Sequence, residues 1–246
     1  MGILRSSNCR TKDFKITVNT MSTKVCITIT ESNPRKIVQD LKKALIDSDY
    51  AELRLDFLKP SQIPFCLTLS RKYLRRCICT LRPTTEGGKF QGTENERISI
   101  LKLISEFEPY LLDVEYNTLK KNQELQKYLR TTKTNILVSW HDFVKTPNEQ
   151  TLRLMLQKMS KFSNNIKIVT TAKTIADTIR ILSLYKISTK KINLISFAMG
   201  DHGKMSRILC TKLGSPYTYV SQGKPIAPGQ FSIKEMKNIL ALEDKG

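Results

Sequence analysis

The chain has 246 residues, 40% of them hydrophobic, which is enough to bury one large core. Forty-one lysines and arginines against 22 acidic residues give a formal charge of +19. No apolar run is long enough to cross a bilayer and no leader pattern is present, while six cysteines without a C-x-x-C pair read as reduced thiols of a cytoplasmic protein, not as a disulfide scaffold.

Residues 1–21 come first. They are polar and basic (Arg5, Arg10, Lys12, Lys15) and read as a flexible extension; a short strand over 14–18, closing the bottom of a barrel, is the alternative. From residue 22 onward, apolar β-branched runs alternate with amphipathic stretches. Strands are predicted over 24–30, 50–57, 75–83, 110–116, 135–143, 166–172, 192–199 and 216–222. Asn33 before Pro34 reads as an N-cap ahead of Ile37, Val38, Leu41 and Leu45 at helical spacing. Thr93 with Glu96, Thr146 with Glu149, and Ser232 with Glu235 fit capping boxes. Strand–helix units with short crossovers force parallel strands, so the expected fold is α/β: a single-domain (β/α)8 barrel of TIM type over residues 22–246. An open doubly wound sheet is the runner-up, but Thr28-Ile29-Thr30-Glu31-Ser32 stands where its glycine-rich phosphate turn would be.

In such barrels the site lies at the carboxyl ends of the strands. Those ends carry Thr28 and Thr30; Glu52, Arg54 and Asp56; Thr80 and Arg82; Asp113 and Glu115; Ser139 and His141; Lys167; and Ser196. Within a strand the polar members lie two apart, on one face, so the predicted lumen is too polar for a structural plug. His141 ends a strand and is one of only two histidines, a candidate acid–base group. Lys167 lies between Ile166 and Ile168 in a strand buried on both faces, where desolvation and nearby arginines would favour the neutral amine of an imine-forming lysine. Arg207 is either a surface helix residue or a carboxylate clamp, and the Ala227-Pro228-Gly229-Gln230 segment is either a plain turn or a lid. The two histidines offer no metal-ligand spacing. Lysines are scattered along every helix, without an aromatic-rich strand or helix-turn-helix pattern. The positive charge therefore argues for solvated helix exteriors and attraction of an anionic small substrate more than for nucleic acid.

With these residues in hand, the chain resembles type I 3-dehydroquinate dehydratase, the Schiff-base enzyme of the shikimate pathway. The motifs are Glu52-Leu53-Arg54-Leu55-Asp56, Arg82 with Glu86-Gly87-Gly88, Ser139-Trp140-His141-Asp142-Phe143, Lys167-Ile168, Gly203 through Ser206-Arg207, and Ala227-Pro228-Gly229-Gln230. The resemblance runs from about residue 24 to 240. It implies that Lys167 forms an iminium with the C3 ketone, that His141 serves as base and then acid, and that Glu86 orients His141. It further implies that Arg207 grips the substrate carboxylate, that Thr28, Glu52, Arg54, Arg82 and Gln230 contact substrate or lid, that no metal or dissociable cofactor is needed, and that the protein is a homodimer. One position departs: Ile226 stands where a substrate-touching serine is frequent, so either Ser221 or backbone replaces that contact or the lid closes differently. A class I aldolase or transaldolase shares barrel and lysine but needs a phosphate turn, for which Gly200 and Gly203 are the nearest candidates. A basic nucleic-acid-binding protein on a dead barrel has no reason to keep Glu86, His141, Lys167 and Arg207 together.

Overall fold

The computed structural model describes residues 23–243, so the extension expected over 1–21 and its alternative strand at 14–18 lie outside the described residues. The strands are β1 (Val25–Ile29), β2 (Tyr50–Arg54), β3 (Cys77–Thr80), β4 (Leu111–Glu115), β5 (Ile136–Asp142), β6 (Asn165–Thr171), β7 (Asn193–Met199) and β8 (Thr218–Ser221). The helices between them are α1 (Pro34–Asp47), α2 (Ile63–Ser70), α3 (Glu94–Glu106), α4 (Tyr116–Lys121) with α5 (Gln123–Thr131), α6 (Glu149–Met159), α7 (Ile175–Leu182) with α8 (Leu184–Ile187), and α9 (Ser206–Lys212). The last helix, α10 (Ile233–Glu243), follows β8. All strand pairs are parallel, in the order β7-β6-β5-β4-β3-β2-β1-β8. This is the expected (β/α)8 barrel, nearly closed. Between β7 and β8 no backbone ladder forms among the described residues. That seam is packed by α9, which touches both strands, and by the rings of Phe197 and Tyr219, 6.4 Å apart.

Local chemistry sets the helix starts. Asn33 accepts from the backbone N–H groups of Arg35 and Lys36, with Pro34 in the first turn. Thr93 and Glu96 satisfy each other's backbone N–H groups, and Ser232 and Glu235 do the same. Each such cap is worth about 1 kcal/mol. The third expected box does not form. Asn148 caps α6 by accepting from Thr151 N at 2.8 Å, whereas Thr146 is buried and bonds the Thr170 hydroxyl and the Thr171 carbonyl. Asn148, two residues later, presents its amide oxygen at the point where the backbone turns helical.

The outward faces of the strands (Ile27, Leu53, Val114, Val138, Ile166, Leu194, Val220) pack under the helices as one core. The inward faces form a second cluster low in the barrel, including Cys26, Ile78, Leu111, Leu137, Ile195 and Tyr217. Two expected strand-end residues do not face the lumen. β2 stops at Arg54 and a 3-10 turn, Leu55–Phe57, follows, so Asp56 leaves the alternation of Glu52 and Arg54. Its buried carboxylate instead takes both Arg54 Nε and Nη2 at 2.8 Å and the Lys89 backbone N–H at 2.9 Å. Ser196 points to the helix layer, where its hydroxyl lies 3.5 Å from the Ile181 carbonyl of α7.

Candidate active site

Register brings the polar inward residues side by side. Thr28 is paired with Glu52, Arg54 with Thr80, Thr80 with Asp113, Glu115 with Ser139, and Ser139 with Lys167. One step of two residues along β1 to β5 therefore converts an apolar floor (Cys26, Ile78, Leu111, Leu137) into a charged layer. Above it opens a cavity of about 260 Å³. The nine residues to which the resemblance assigns a role all line it: Thr28, Glu52, Arg54, Arg82, Glu86, His141, Lys167, Arg207 and Gln230.

The charged layer is a chain of alternating signs. Arg82 donates from Nη2 to Asp113 at 2.6 Å and from Nη1 to Glu115 at 2.8 Å and to the Ser139 hydroxyl at 2.7 Å. Ser139 in turn donates to Asp113 at 2.6 Å, and the other Glu115 oxygen takes the buried Arg97 of α3 at 2.7 Å. Burial opposes charge on Asp113, yet Arg82 and Lys167 beside it hold its carboxyl below the usual range. Burial works against Arg82 as well, but Asp113 and Glu115 outweigh it and raise its pKa. Lys167 Nζ is 3.6 Å from Asp113 and 3.9 Å from Glu52, whose other contact is the Thr80 hydroxyl at 2.8 Å. The charges within ion-pair reach of Lys167 are thus carboxylates, not the arginines expected beside it, because Arg82 and Arg54 are spent on carboxylates of their own. The opposite side of Nζ rests on the face of Tyr219, 4.2 Å from the ring centroid.

His141 Nδ1 lies 3.3 Å from Glu86 Oε2, with its ring stacked on Phe143. Burial, then Arg82, Lys167 and Arg54, hold His141 well below its ordinary pKa, so the imidazole is neutral. Burial pushes Glu86 up to about 7. Glu86 sits in a 3-10 turn, Thr84–Glu86, that folds back on Arg82. A Cβ at Gly88 would lie 2.0 Å from the Arg82 carbonyl oxygen, so only glycine allows that return.

Arg207 begins α9 and is 2% exposed. Nη2 donates to the Pro228 carbonyl at 3.2 Å, Cζ lies 4.3 Å over the Phe197 ring, and Nε has no hydrogen-bond partner among the described residues. Burial lowers its pKa to about 10, and no carboxylate of the described residues pairs with it. A buried guanidinium with spare donors fits an anionic ligand. The segment after β8 closes over it. Gln230 accepts from Ile226 N at 2.9 Å, and Gly229, at φ +73°, approaches the Gly200 carbonyl so closely that a Cβ would sit 2.8 Å away. Ser221 does not replace a serine at position 226; it is not among the residues lining the cavity and its hydroxyl bonds the Gly223 carbonyl at 2.9 Å, whereas Ile226 lines the cavity.

Sequence reading missed the apolar wall of Phe143, Val169, Phe197, Met199 and Tyr219. The signal was available. Val169 keeps the two-residue alternation of the Lys167 face, Phe197 and Met199 continue it on β7 from Ile195, the partner of Lys167, and Tyr219 of β8 is paired with the inward-facing Cys26 of β1.

Eight parallel strands around a charged lumen, open at their carboxyl ends, define an enzyme of the TIM-barrel class. The profile of the family described as Type I 3-dehydroquinase matches residues 25–246. A 3-dehydroquinate dehydratase of Methanococcus maripaludis is 35% identical over 230 residues, covering 89% of this chain and 99% of the relative. One from Dehalococcoides mccartyi is 38% identical over 205 residues, covering 82% and 88%. The type I 3-dehydroquinate dehydratase of Clostridium difficile, solved with covalently modified comenic acid, superposes with TM-score 0.80 at 26% identity, over 94% of this chain and 96% of that one. The chain belongs to the type I 3-dehydroquinate dehydratase family.

Proposed function

We propose that the chain converts 3-dehydroquinate to 3-dehydroshikimate and water through an imine on Lys167, as a step of the shikimate pathway. The observation that carries this reading is the pairing, on one cavity, of a buried lysine with a buried arginine that no carboxylate among the described residues satisfies. The first can bond a carbonyl carbon and the second can hold a carboxylate. Lys167 adds to the C3 ketone and expels water to give an iminium, which acidifies the C2 hydrogen. His141, neutral and held through Nδ1 by Glu86, takes that proton on Nε2 and returns it to the departing C1 hydroxyl. Water then hydrolyses the product imine and frees the lysine. Thr28, Glu52, Arg54, Arg82 and Gln230 line the same space and contact the ring hydroxyls or the lid. The covalently modified comenic acid of the Clostridium difficile relative supports a covalent route.

The homodimer and the cytoplasmic setting belong to the same proposal. The five cysteines among the described residues are free and buried, which supports a reducing compartment. In this reading the basic surface attracts the anionic substrate and not nucleic acid, so salt should raise KM. Sedimentation at two concentrations tests the dimer.

The deciding experiment is intact mass after incubation with 3-dehydroquinate and borohydride, followed by peptide mapping. A reduced adduct on Lys167, absent from Lys167→Ala together with turnover, is the expected result. Dehydration without any trapped adduct would sink the imine route.

A further inference from the structure

Lys167, which also has Asp113 and Glu52 within ion-pair reach, and Arg207, which has no carboxylate partner among the described residues, are seated on neighbouring aromatic faces. Lys167 Nζ lies 4.2 Å from the Tyr219 centroid, and Arg207 Cζ 4.3 Å from the Phe197 centroid. The two rings are 6.4 Å apart and tilted by 57°. They stand on β7 and β8, on either side of the seam that lacks a backbone ladder, and each is 3% exposed. Lys167 reaches them from β6 and Arg207 from α9.

We propose that Tyr219 and Phe197 form an aromatic platform that positions the imine-forming nitrogen of Lys167 and the carboxylate-binding guanidinium of Arg207 at a fixed separation. The proposal rests on the imine reading above. A ring face attracts a cation through its quadrupole but carries no net charge and accepts no proton. Under Arg207 it steadies a buried guanidinium without occupying the donors that a carboxylate ligand needs. Under Lys167 it favours positive charge on nitrogen, the charge that persists in an iminium. A carboxylate under Arg207 would neutralise it; at Lys167 the ring covers the side that Asp113, at 3.6 Å, and Glu52, at 3.9 Å, leave open. The ring and not the hydroxyl does this, since the Tyr219 hydroxyl is buried without a hydrogen-bond partner among the described residues. Tyr219 and Phe197 are therefore positioning residues, acting through Lys167 and Arg207.

The test places phenylalanine, then its mono-, di- and trifluorinated analogues, at position 219 of the full chain, with Tyr219→Leu alongside. The reading is the rate of borohydride-trapped adduct on Lys167 with 3-dehydroquinate. Fluorination drains the ring face at nearly constant size, so a ring that merely fills space gives a flat series. The platform requires Tyr219→Phe to trap within about twofold of the unaltered chain, a stepwise fall with each fluorine, and roughly a tenfold loss in Tyr219→Leu. A flat series with Leu equal to Phe, while the unaltered chain forms the adduct, overturns the platform and leaves the imine reading in place. Dehydration without adduct in the unaltered chain overturns both. As a second reading, Phe197→Leu should raise KM about tenfold with kcat nearly held; a loss confined to kcat would overturn the Arg207 half.

Discussion

Arg82 and Arg207 are both buried guanidiniums on one cavity, and the fold treats them oppositely. Arg82 has Asp113, Glu115 and the Ser139 hydroxyl within 2.8 Å, and its pKa is raised. Arg207 has one backbone carbonyl, a ring beneath it and an unused Nε, and its pKa falls to about 10. The charge of the first is already met by two carboxylates, which disfavours a further anion and leaves it neutral oxygens such as a ring hydroxyl. The second is held in readiness at the expense of stability, the usual mark of a ligand-binding group. Charge compensation, more than burial, separates an arginine fit for neutral contacts from one fit for an anion.

The comparison can be broken or sharpened by experiment. The largest expected effect is on the polar side: His141→Ala should slow turnover by roughly 10²- to 10⁴-fold while the Lys167 adduct still forms, read by steady-state rates beside borohydride trapping. Next, Arg82→Met takes from Asp113 and Glu115 the guanidinium they share, leaving them Lys167, Ser139 and Arg97, and should cost about 3–5 kcal/mol in denaturant unfolding. Its counterpart Arg207→Met should leave stability unchanged or improved, yet lower kcat/KM by roughly 10- to 100-fold through KM. Equal destabilisation by the two substitutions would erase the distinction. The smallest effect is in pH. Above about 7, the Glu86 carboxylate accepts the His141 Nδ1 proton and leaves the Nε2 lone pair facing the cavity. Below it, protonated Glu86 donates to Nδ1, and Nε2 carries the hydrogen. Because His141 is held well below its ordinary value, the acid limb belongs to Glu86. kcat/KM should therefore fall by up to about tenfold per pH unit below 7 and lose that limb in Glu86→Gln.

The barrel and the polar half of its lumen were legible because charged residues two apart in an otherwise apolar strand have no other stable explanation. Glu52 and Arg54, Thr80 and Arg82, Asp113 and Glu115, and Ser139 and His141 announce one face each. Asp56 broke the rule because the chain leaves the sheet after Arg54, and nothing in the surrounding residues marks a 3-10 turn. Ser196 misled because a lone serine carries no face of its own. Phe197 and Tyr219 escaped notice because, in strands buried on both sides, a cavity wall and a core residue have the same composition. Arg97 was invisible as a partner of Glu115, since only the packing of α3 on the barrel brings them together.

The unladdered seam between β7 and β8 has a mechanical consequence. Lys167 lies on β6, Arg207 on the helix after β7, and Gln230 in the segment after β8, so a ligand touching all three would span the gap as a clasp. Occupancy would then add to the work of prising the cylinder open, growing with the logarithm of ligand concentration above Kd. Amide protons along β7 and β8 would exchange with solvent more slowly in the filled enzyme than in the empty one. The barrel would be most rigid while it holds the substrate and loosest as the product leaves.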